Sequence, residues 1–262
     1  LEPAALSLPA AEDVLIVDLC RPETYAQGHL PGAVHLDYAA LTSSRPPVGG
    51  LLPGDADLSR TLSTIGLTPD RHVIAYDDEG GGKASRLLWT LDVLGHERFS
   101  LLDGGYRAWT EAKLPLETGP VTIEPSTYKA VAREAGRADR DHILARLGSP
   151  DFALVDARTA EEYSGENRRA ERGGHIPGAV NFNWVNAMDR TRALRLRPRD
   201  DLIEEFAVLG VTPEKEVVTY CHTHHRSSHT YIVLKSLGFG RIRGYPGSWS
   251  EWGNDPTTPV AV

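Results

Sequence analysis

The sequence predicts an α/β protein made of two tandem domains, each with a mostly parallel central sheet flanked by helices. Short β-branched runs alternate with helical stretches, a pattern typical of such sheets. In the first half, strands are predicted near 14–18, 73–76 and 100–102, and helices near 57–65, 84–94 and 105–111. The chain then repeats itself about 145 residues later, a period far too long for a solenoid unit.

Four blocks recur in the same order and carry the prediction of a duplicated domain. The pairs are Leu15–Asp18 with Ala153–Asp156, Gly28–Val34 with Gly174–Val180, Val73–Tyr76 with Val217–Tyr220, and Gly104–Trp109 with Gly247–Trp252. Between the halves, Leu114–Ser126 is rich in proline and is predicted to be an extended linker. We therefore expect one domain over 1–120 and a second over 121–262.

Composition narrows the classes of function. The 262 residues carry a formal net charge of -8, which argues against nucleic-acid or membrane-surface binding. No apolar run approaches the roughly 20 residues that span a bilayer. The chain has 2 cysteines, so no disulfide framework is implied and a cytoplasmic location is expected.

The most informative segment begins at Cys221. A strand-like run, Glu216–Tyr220, ends on this cysteine, and a helical pattern follows a short polar loop. A cysteine in this position faces unpaired backbone N–H groups and the positive end of the helix dipole, both of which stabilise a thiolate. The alternative, a small buried hydrophobic residue, fits poorly with the neighbours. These are His222, Thr223, His224, His225, Arg226 and Ser227.

The duplication supplies an internal comparison. The position paired with Cys221 is Asp77, in an acidic loop that has no nucleophile. The first domain is therefore predicted to be inactive and the second catalytic. Cys20 pairs with Arg158 in the repeat, and nothing recommends it as a second catalytic thiol.

These motifs resemble the rhodanese family of sulfurtransferases over nearly the whole chain. One signature lies at Tyr25–Leu36 and the other at Tyr245–Trp252. The loop Cys221–Ser227 is similar to that of a bacterial subgroup of two-domain thiosulfate sulfurtransferases. His222 departs from the arginine usual in animal enzymes, so its role stays open. A Cys-Gly-Ser/Thr-Gly loop, which favours mercaptopyruvate, is absent from the sequence.

The resemblance implies a reaction and a set of roles. The Cys221 thiolate takes the sulfane sulfur of thiosulfate as a persulfide and passes it to cyanide, a thiol or a protein acceptor, with no cofactor or metal and as a monomer. Loop N–H groups stabilise the persulfide. Arg226 is expected to hold the sulfonate, unless it only forms a structural salt bridge. Trp184 is expected to line the pocket, unless it is core packing.

Other interpretations of the sequence stay open. A persulfide carrier serving a protein partner fits the same residues. A cysteine phosphatase is disfavoured, because four residues separate Cys221 from Arg226 where phosphatases of this fold family have five. The loop histidines are expected to add positive potential by partial protonation rather than to bind zinc. The arginines of 190–199 are expected to form a solvated face, and His29 and His175 to hydrogen-bond within their own domains.

Overall fold

A computed structural model gives the fold and describes residues 1–8 and 10–262. Its residues cluster into two compact units. The first unit contains Leu1–Leu41, Pro53–Arg133 and Met188–Leu196, and the second contains Thr42–Leu52, Glu134–Ala187 and Arg197–Val262.

The first half of the chain alternates strands and helices close to the predicted positions. Its strands are β1 (Val14–Asp18), β2 (Val34–His35), β3 (Ser43–Arg45), β4 (Val48–Leu51), β5 (His72–Tyr76) and β6 (Phe99–Leu101). Its α-helices are α1 (Pro22–Gln27), α2 (Asp55–Thr64), α3 (Gly82–Val93) and α4 (Gly105–Glu111). Short 3-10 helices lie at Pro3–Ala5 and Tyr38–Leu41.

The second half repeats this order. Its strands are β7 (Phe152–Asp156), β8 (Ala179–Asn181), β9 (Met188–Asp189), β10 (Arg195–Leu196), β11 (Glu216–Tyr220) and β12 (Ile242–Gly244). Its α-helices are α5 (Arg140–Arg146), α6 (Ala160–Ser164), α7 (Arg199–Val208), α8 (Arg226–Ser236) and α9 (Ser248–Trp252). Short 3-10 helices lie at Trp184–Ala187 and Arg190–Arg192.

Each unit is built on a four-stranded parallel sheet. The strand orders are β2-β1-β5-β6 and β12-β11-β7-β8. In the second sheet β11 pairs with β7 over its whole length, from Glu216 opposite Phe152 to Tyr220 opposite Asp156. The predicted α/β fold class is confirmed. Because neighbouring parallel strands end at the same edge, the loops after β7 and β11 emerge side by side.

The units do not coincide with a single division at residue 120. The stretch 121–133 stays with the first unit, where Tyr128 N–H donates to Ser63 Oγ (3.0 Å) and Arg133 N–H to the Val93 carbonyl (3.0 Å). The antiparallel hairpin β3–β4 comes from the first half of the sequence but packs in the second unit, whereas β9–β10 packs in the first.

In each unit a buried tyrosine connects the sheet to the repeated block that contains His29 or His175. The hydroxyl of Tyr76 accepts the backbone N–H of Leu30, and that of Tyr220 accepts the N–H of Ile176, both at 3.1 Å. Both tyrosines are fully buried, so each hydroxyl satisfies a backbone donor that would otherwise lack a partner in the core. Across the described ranges, 1–8 and 10–262, no helix combines the length and apolar character needed to cross a membrane.

Candidate active site

Cys221 lies at the junction of β11 and the loop that leads into α8, as the sequence predicts. The residue is 1 % exposed, yet it lines a cleft of about 550 Å³. Its sulfur therefore sits at the base of an opening with only a small face available for reaction. The other lining residues are Asn167, Arg168, Arg169, His222, Thr223, His225 and Arg226.

Several donors converge on the Cys221 sulfur. Burial raises the pKa of this thiol, but the charge of Arg226 and hydrogen bonds from the Ser227 hydroxyl and from the backbone N–H groups of Ser227 and Thr223 outweigh it. The net result is a pKa below the ordinary value of a cysteine. The loop thus favours a thiolate despite its burial, which is the condition for a nucleophilic cysteine.

The loop turns sharply at His224 to bring these donors together. His224 has a left-handed backbone (φ 55°) and is fully buried. Its Nδ1 lies 2.7 Å from Ser227 Oγ. Since the Ser227 hydroxyl donates its proton to the sulfur, its oxygen is left to accept the proton of this imidazole nitrogen. His224 therefore orients Ser227 inside the loop and does not line the cleft.

Helix α9 fixes the other side of the loop. The backbone N–H of Trp249 donates to the Cys221 carbonyl, and that of Ser250 to the His222 carbonyl, both at 3.0 Å. The Cys221 N–H donates in turn to Ser248 Oγ (3.3 Å). Two successive carbonyls of the loop are thus held by one helix, which leaves little freedom for their peptide planes.

Arg226, expected to hold a sulfonate, forms a buried salt bridge. Its two terminal nitrogens donate to Glu162 Oε2 (2.5 Å) and Oε1 (2.9 Å). The side chains of Arg226 and Glu162 are 15 % and 2 % exposed. Burial raises the pKa of Glu162, but Arg226 dominates and lowers it to about 2. The guanidinium supplies a fixed positive charge near the thiolate, while its paired donors are occupied.

Glu162 is a site residue that sequence reasoning missed. Thr159 and Glu162 form a capping box at the start of α6, with reciprocal hydrogen bonds of 3.3 Å. The Thr-x-x-Glu pattern after β7 is readable in the sequence, and α6 follows the strand paired with β11. This pattern therefore indicates a carboxylate at the edge of the sheet where the cysteine loop lies.

Arg168 and Arg169 are two further residues of the cleft that the sequence analysis does not select. Both line the cleft and are exposed. The Arg169 side chain is 53 % exposed and lies 3.6 Å from Glu162 Oε1, and Arg168 donates to the Ala170 carbonyl (3.0 Å). The segment Glu166–Arg172 mixes both signs of charge and resembles an ordinary solvated loop, so no sequence pattern distinguishes it as part of a site.

The expectation that loop histidines add positive charge is wrong for His222. Burial, reinforced by the charge of Arg169, holds the pKa of His222 below its ordinary value. The imidazole is therefore neutral at neutral pH. The arginines that line the cleft, Arg168, Arg169 and Arg226, carry positive charge at any pH near neutrality.

Trp184 does not line this cleft. Its ring packs edgewise against His225 and His229, with centroid separations of 5.8 and 5.4 Å. It therefore supports the end of the loop and the first turns of α8 from outside, because the imidazole of His225 lies against its ring.

The run 190–199 has three exposed arginines, as expected of a solvated face, namely Arg190, Arg192 and Arg199. The remaining two arginines and the two motif histidines make structural contacts. Arg195 pairs with Glu2 and Glu111, and Arg197 with Glu205, and none of the run lines the cleft. As predicted, His29 and His175 bond within their own units: Nδ1 of each lies 3.1 and 3.0 Å from the carbonyl of a tyrosine on which the ring stacks.

The loop of the first unit holds a carboxylate where the second has its thiol. Asp77 is fully buried. Its Oδ1 accepts the N–H groups of Glu79 (3.0 Å) and Gly81 (2.8 Å), and its Oδ2 accepts that of Ala84 (2.9 Å). The donors that would otherwise face a ligand are thus satisfied by the chain itself.

Cys20 is also placed away from any chemistry. It lies in the hydrophobic core of the first unit, 4 % exposed. Burial and the neighbouring Asp18 raise its pKa far above the ordinary range, so it stays a thiol. Among the described residues, no three His, Cys, Asp or Glu side chains are grouped closely enough to hold a metal ion.

Comparison with known proteins places these features in a family. The rhodanese-like domain matches residues 3–112 and again 139–255. A thiosulfate sulfurtransferase of Azotobacter vinelandii is 44% identical over 270 residues, covering 100% of this chain and 96% of that protein. The sulfur carrier protein TtuD of Thermus thermophilus is 32% identical, with 99% and 92% covered.

Solved structures agree with the sequence matches. The anaerobic ergothioneine biosynthesis enzyme of Chlorobium limicola, solved with trimethyl histidine, superposes with a TM-score of 0.85 and 26% identity, covering 98% of this chain and 66% of that one. The protein YnjE superposes with a TM-score of 0.82 and 26% identity, covering 96% and 63%. This chain thus spans about two thirds of the length of those structures. With both halves matched and relatives aligned from end to end, the chain belongs to the rhodanese family and carries two copies of its domain in tandem.

Proposed function

We propose that this protein is a thiosulfate sulfurtransferase in which Cys221 carries the transferred sulfur. The observation that carries the proposal is the buried thiol with a lowered pKa, held by converging N–H groups at the base of a cleft whose mouth bears exposed arginines. Relatives that align over the whole chain are named for the same reaction.

The reaction needs only the cysteine as nucleophile. The Cys221 thiolate attacks the sulfane sulfur of thiosulfate, the S–S bond of thiosulfate breaks, and sulfite leaves with the bonding electron pair. The product is a persulfide anion on Cys221. Cyanide then attacks the outer sulfur, thiocyanate forms, and the electron pair of the broken bond returns to Cys221 as thiolate. Because the persulfide is anionic, the same loop donors stabilise it.

The sulfonate of thiosulfate is assigned to Arg169, with Arg168 beside it, rather than to Arg226. Arg226 has both terminal nitrogens on Glu162, so its paired donors are already occupied. Arg169 lines the same cleft, is half exposed and lies farther from Glu162. An exposed guanidinium can turn both of its parallel donors toward an oxyanion.

Mass spectrometry of protein incubated with thiosulfate tests the covalent step. We expect the Cys221 peptide to gain one sulfur, about 32 Da, and to lose it when cyanide is added. Cys221→Ala should abolish both the gain and thiocyanate formation. Cys20→Ala is the matched control, because that thiol is buried in the other unit, and it should retain nearly full activity. No gain on Cys221, or equal loss from both substitutions, contradicts the proposal.

A persulfide carrier is the second candidate, favoured by the relative named a sulfur carrier protein. The two functions share Cys221 and differ in the acceptor. If persulfidated protein releases its sulfur to cyanide only slowly but transfers it rapidly to a protein thiol, the carrier role is supported. Hydrolysis of p-nitrophenyl phosphate by wild type but not Cys221→Ala would instead support the phosphatase alternative.

The remaining expectations accompany this proposal. The donor is a small anionic sulfur compound and the acceptor a thiophile, cyanide or a thiol. No cofactor enters the scheme above, since the persulfide itself carries the sulfur. A cytoplasmic location is proposed because both cysteines are unpaired and a reducing compartment keeps Cys221 available. A monomer is proposed only by analogy with the tandem rhodaneses that the chain resembles.

A further inference from the structure

The hairpin β3–β4 contacts the catalytic loop although it comes from the other half of the sequence. It belongs to the second unit, where β4 packs against α9. Gly49 and Gly50 form its point of contact. The Cβ of an alanine at Gly49 would lie 3.4 Å from Thr223 Cγ2, and one at Gly50 would overlap the Thr223 carbonyl. Only a residue without a side chain fits at Gly50, which also has a left-handed backbone (φ 71°).

Both peptide planes that flank Thr223 are constrained by this contact. The carbonyl of Thr223 itself lies against Gly50. The carbonyl of His222 accepts the N–H of Ser250 (3.0 Å). Ser250 is in turn tied to the hairpin, because the Gly49 N–H donates to its Oγ (3.1 Å) while that hydroxyl donates to the Gly247 carbonyl (2.8 Å). The N–H of Thr223, one of the donors to the Cys221 sulfur, lies between these two fixed carbonyls.

The first unit uses the reverse arrangement. There the hairpin β9–β10 supplies a side chain and the loop supplies the glycine: a Cβ at Gly80 would overlap Met188 Sδ. In the second unit the glycines lie on the hairpin, so the loop can carry Thr223 and its neighbouring histidines. At this contact the space is therefore occupied by side chains of the loop that contains Cys221, not by side chains of the hairpin.

We propose that the Gly49–Gly50 segment of β4 is a positioning element for the sulfur-transfer site, pressing on Thr223 so that its N–H stays directed at the sulfur of Cys221. The segment touches neither donor nor acceptor and acts through the loop. The inference deepens the proposed function but does not depend on thiosulfate being the donor. Its consequence is that displacing β4 weakens the thiolate without removing any group that binds it.

Gly50→Ala is the direct test, and Gly148→Ala is its matched control. Both glycines have a left-handed backbone (φ 71° and 78°), but a Cβ at Gly148 meets nothing within 4 Å. Both variants therefore bear the same backbone cost and differ only in the overlap with Thr223. The readout is the pH midpoint of Cys221 alkylation by iodoacetamide, located by mass spectrometry, together with kcat/KM for thiosulfate.

We expect Gly50→Ala to raise the alkylation midpoint by about one pH unit, which is about a tenfold loss of thiolate at a pH below the midpoint, and to lower kcat/KM by a similar factor. Gly148→Ala should leave both near wild type. An unchanged midpoint in Gly50→Ala, or an equal rise in Gly148→Ala, overturns the proposal. Alkylation needs no sulfur donor, so the result is independent of whether thiosulfate is used.

Ser250→Ala provides a second test should Gly50→Ala not fold. This change keeps the hairpin but removes the hydroxyl that receives the Gly49 N–H. A smaller rise of the midpoint in the same direction supports the proposal. A midpoint equal to that of wild type rejects it.

Discussion

Replacing Glu162 with glutamine is expected to destabilise the second unit by about 3 kcal/mol while leaving Cys221 reactive. The carboxylate receives two hydrogen bonds from Arg226, at 2.5 and 2.9 Å, and its side chain is 2 % exposed. Glutamine preserves the capping box at the start of α6 and removes only the charge. What is lost is therefore the ion pair rather than the helix terminus.

The magnitude follows from the pKa of Glu162. Its fall from 4.5 to about 2, at about 1.36 kcal/mol for each pKa unit, corresponds to about 3 kcal/mol. Nearly complete burial means that no discount for solvent screening is needed, and removing one partner of a buried pair typically costs about 3–5 kcal/mol. Since the folded-state pKa is depressed, the contribution is complete above about pH 4.5 and is lost as pH falls toward 2.

Urea unfolding followed by tryptophan fluorescence measures this loss, with Glu161→Gln as the control. Glu161 lies in the same first turn of α6 but is exposed, and its substitution should leave the free energy of unfolding unchanged. The difference in free energy of unfolding between wild type and Glu162→Gln should have its full value at pH 7 and should decrease below pH 4.5. A loss below about 0.5 kcal/mol, or the same loss in both variants, refutes the reasoning.

Three further predictions concern the cleft and the two loops. Arg169→Ala should raise KM for thiosulfate about tenfold, the value of one charge-assisted contact, whereas Arg192→Ala, exposed and outside the cleft, should not; equal KM values would remove Arg169 from the sulfonate site. Asp77→Ala leaves three backbone N–H groups without their acceptor and should lower the free energy of unfolding by about 3 kcal/mol. A variant whose urea unfolding curve equals that of wild type would contradict the role given to that carboxylate. Because the pKa of Cys221 is lowered, its alkylation rate should level off at a lower pH than that of a free cysteine. Arg226→Gln should move that pH upward, and a profile unchanged by this substitution would show that the arginine does not stabilise the thiolate.

The fold and the position of the candidate nucleophile could be predicted because both are encoded locally. β-Branched runs bounded by turn residues define β1, β5 and β11 within one residue of their observed bounds, since buried parallel strands tolerate few other sequences. The rhodanese assignment is confirmed by the match over both halves. The position of Cys221 at the end of a strand follows directly from these patterns.

The partners of the site could not be predicted, because they depend on contacts between distant segments. Arg226 and Glu162 are 64 residues apart, and no periodicity in either segment indicates that they pair. The hairpin β3–β4 is shorter than most strand pairs and contains two prolines and two glycines within 46–50, so neither its strands nor the unit it joins is evident. The charge state of His222 depends on burial beside Arg169, which only the folded chain provides.

The two loops show which features both repeats share and which belong to the cysteine loop alone. In the first unit Asp77 takes three backbone N–H groups, and in the second the Cys221 sulfur takes those of Thr223 and Ser227. Converging donors are therefore a property of the strand–loop–helix junction, which both repeats share. The repeat places Gly82 opposite Arg226, so the first loop has the donors but no arginine at that position. In the proposed function, reactivity therefore depends on a thiol and an arginine added to backbone donors that the fold already supplies. In the first unit the carboxylate of Asp77 occupies those donors.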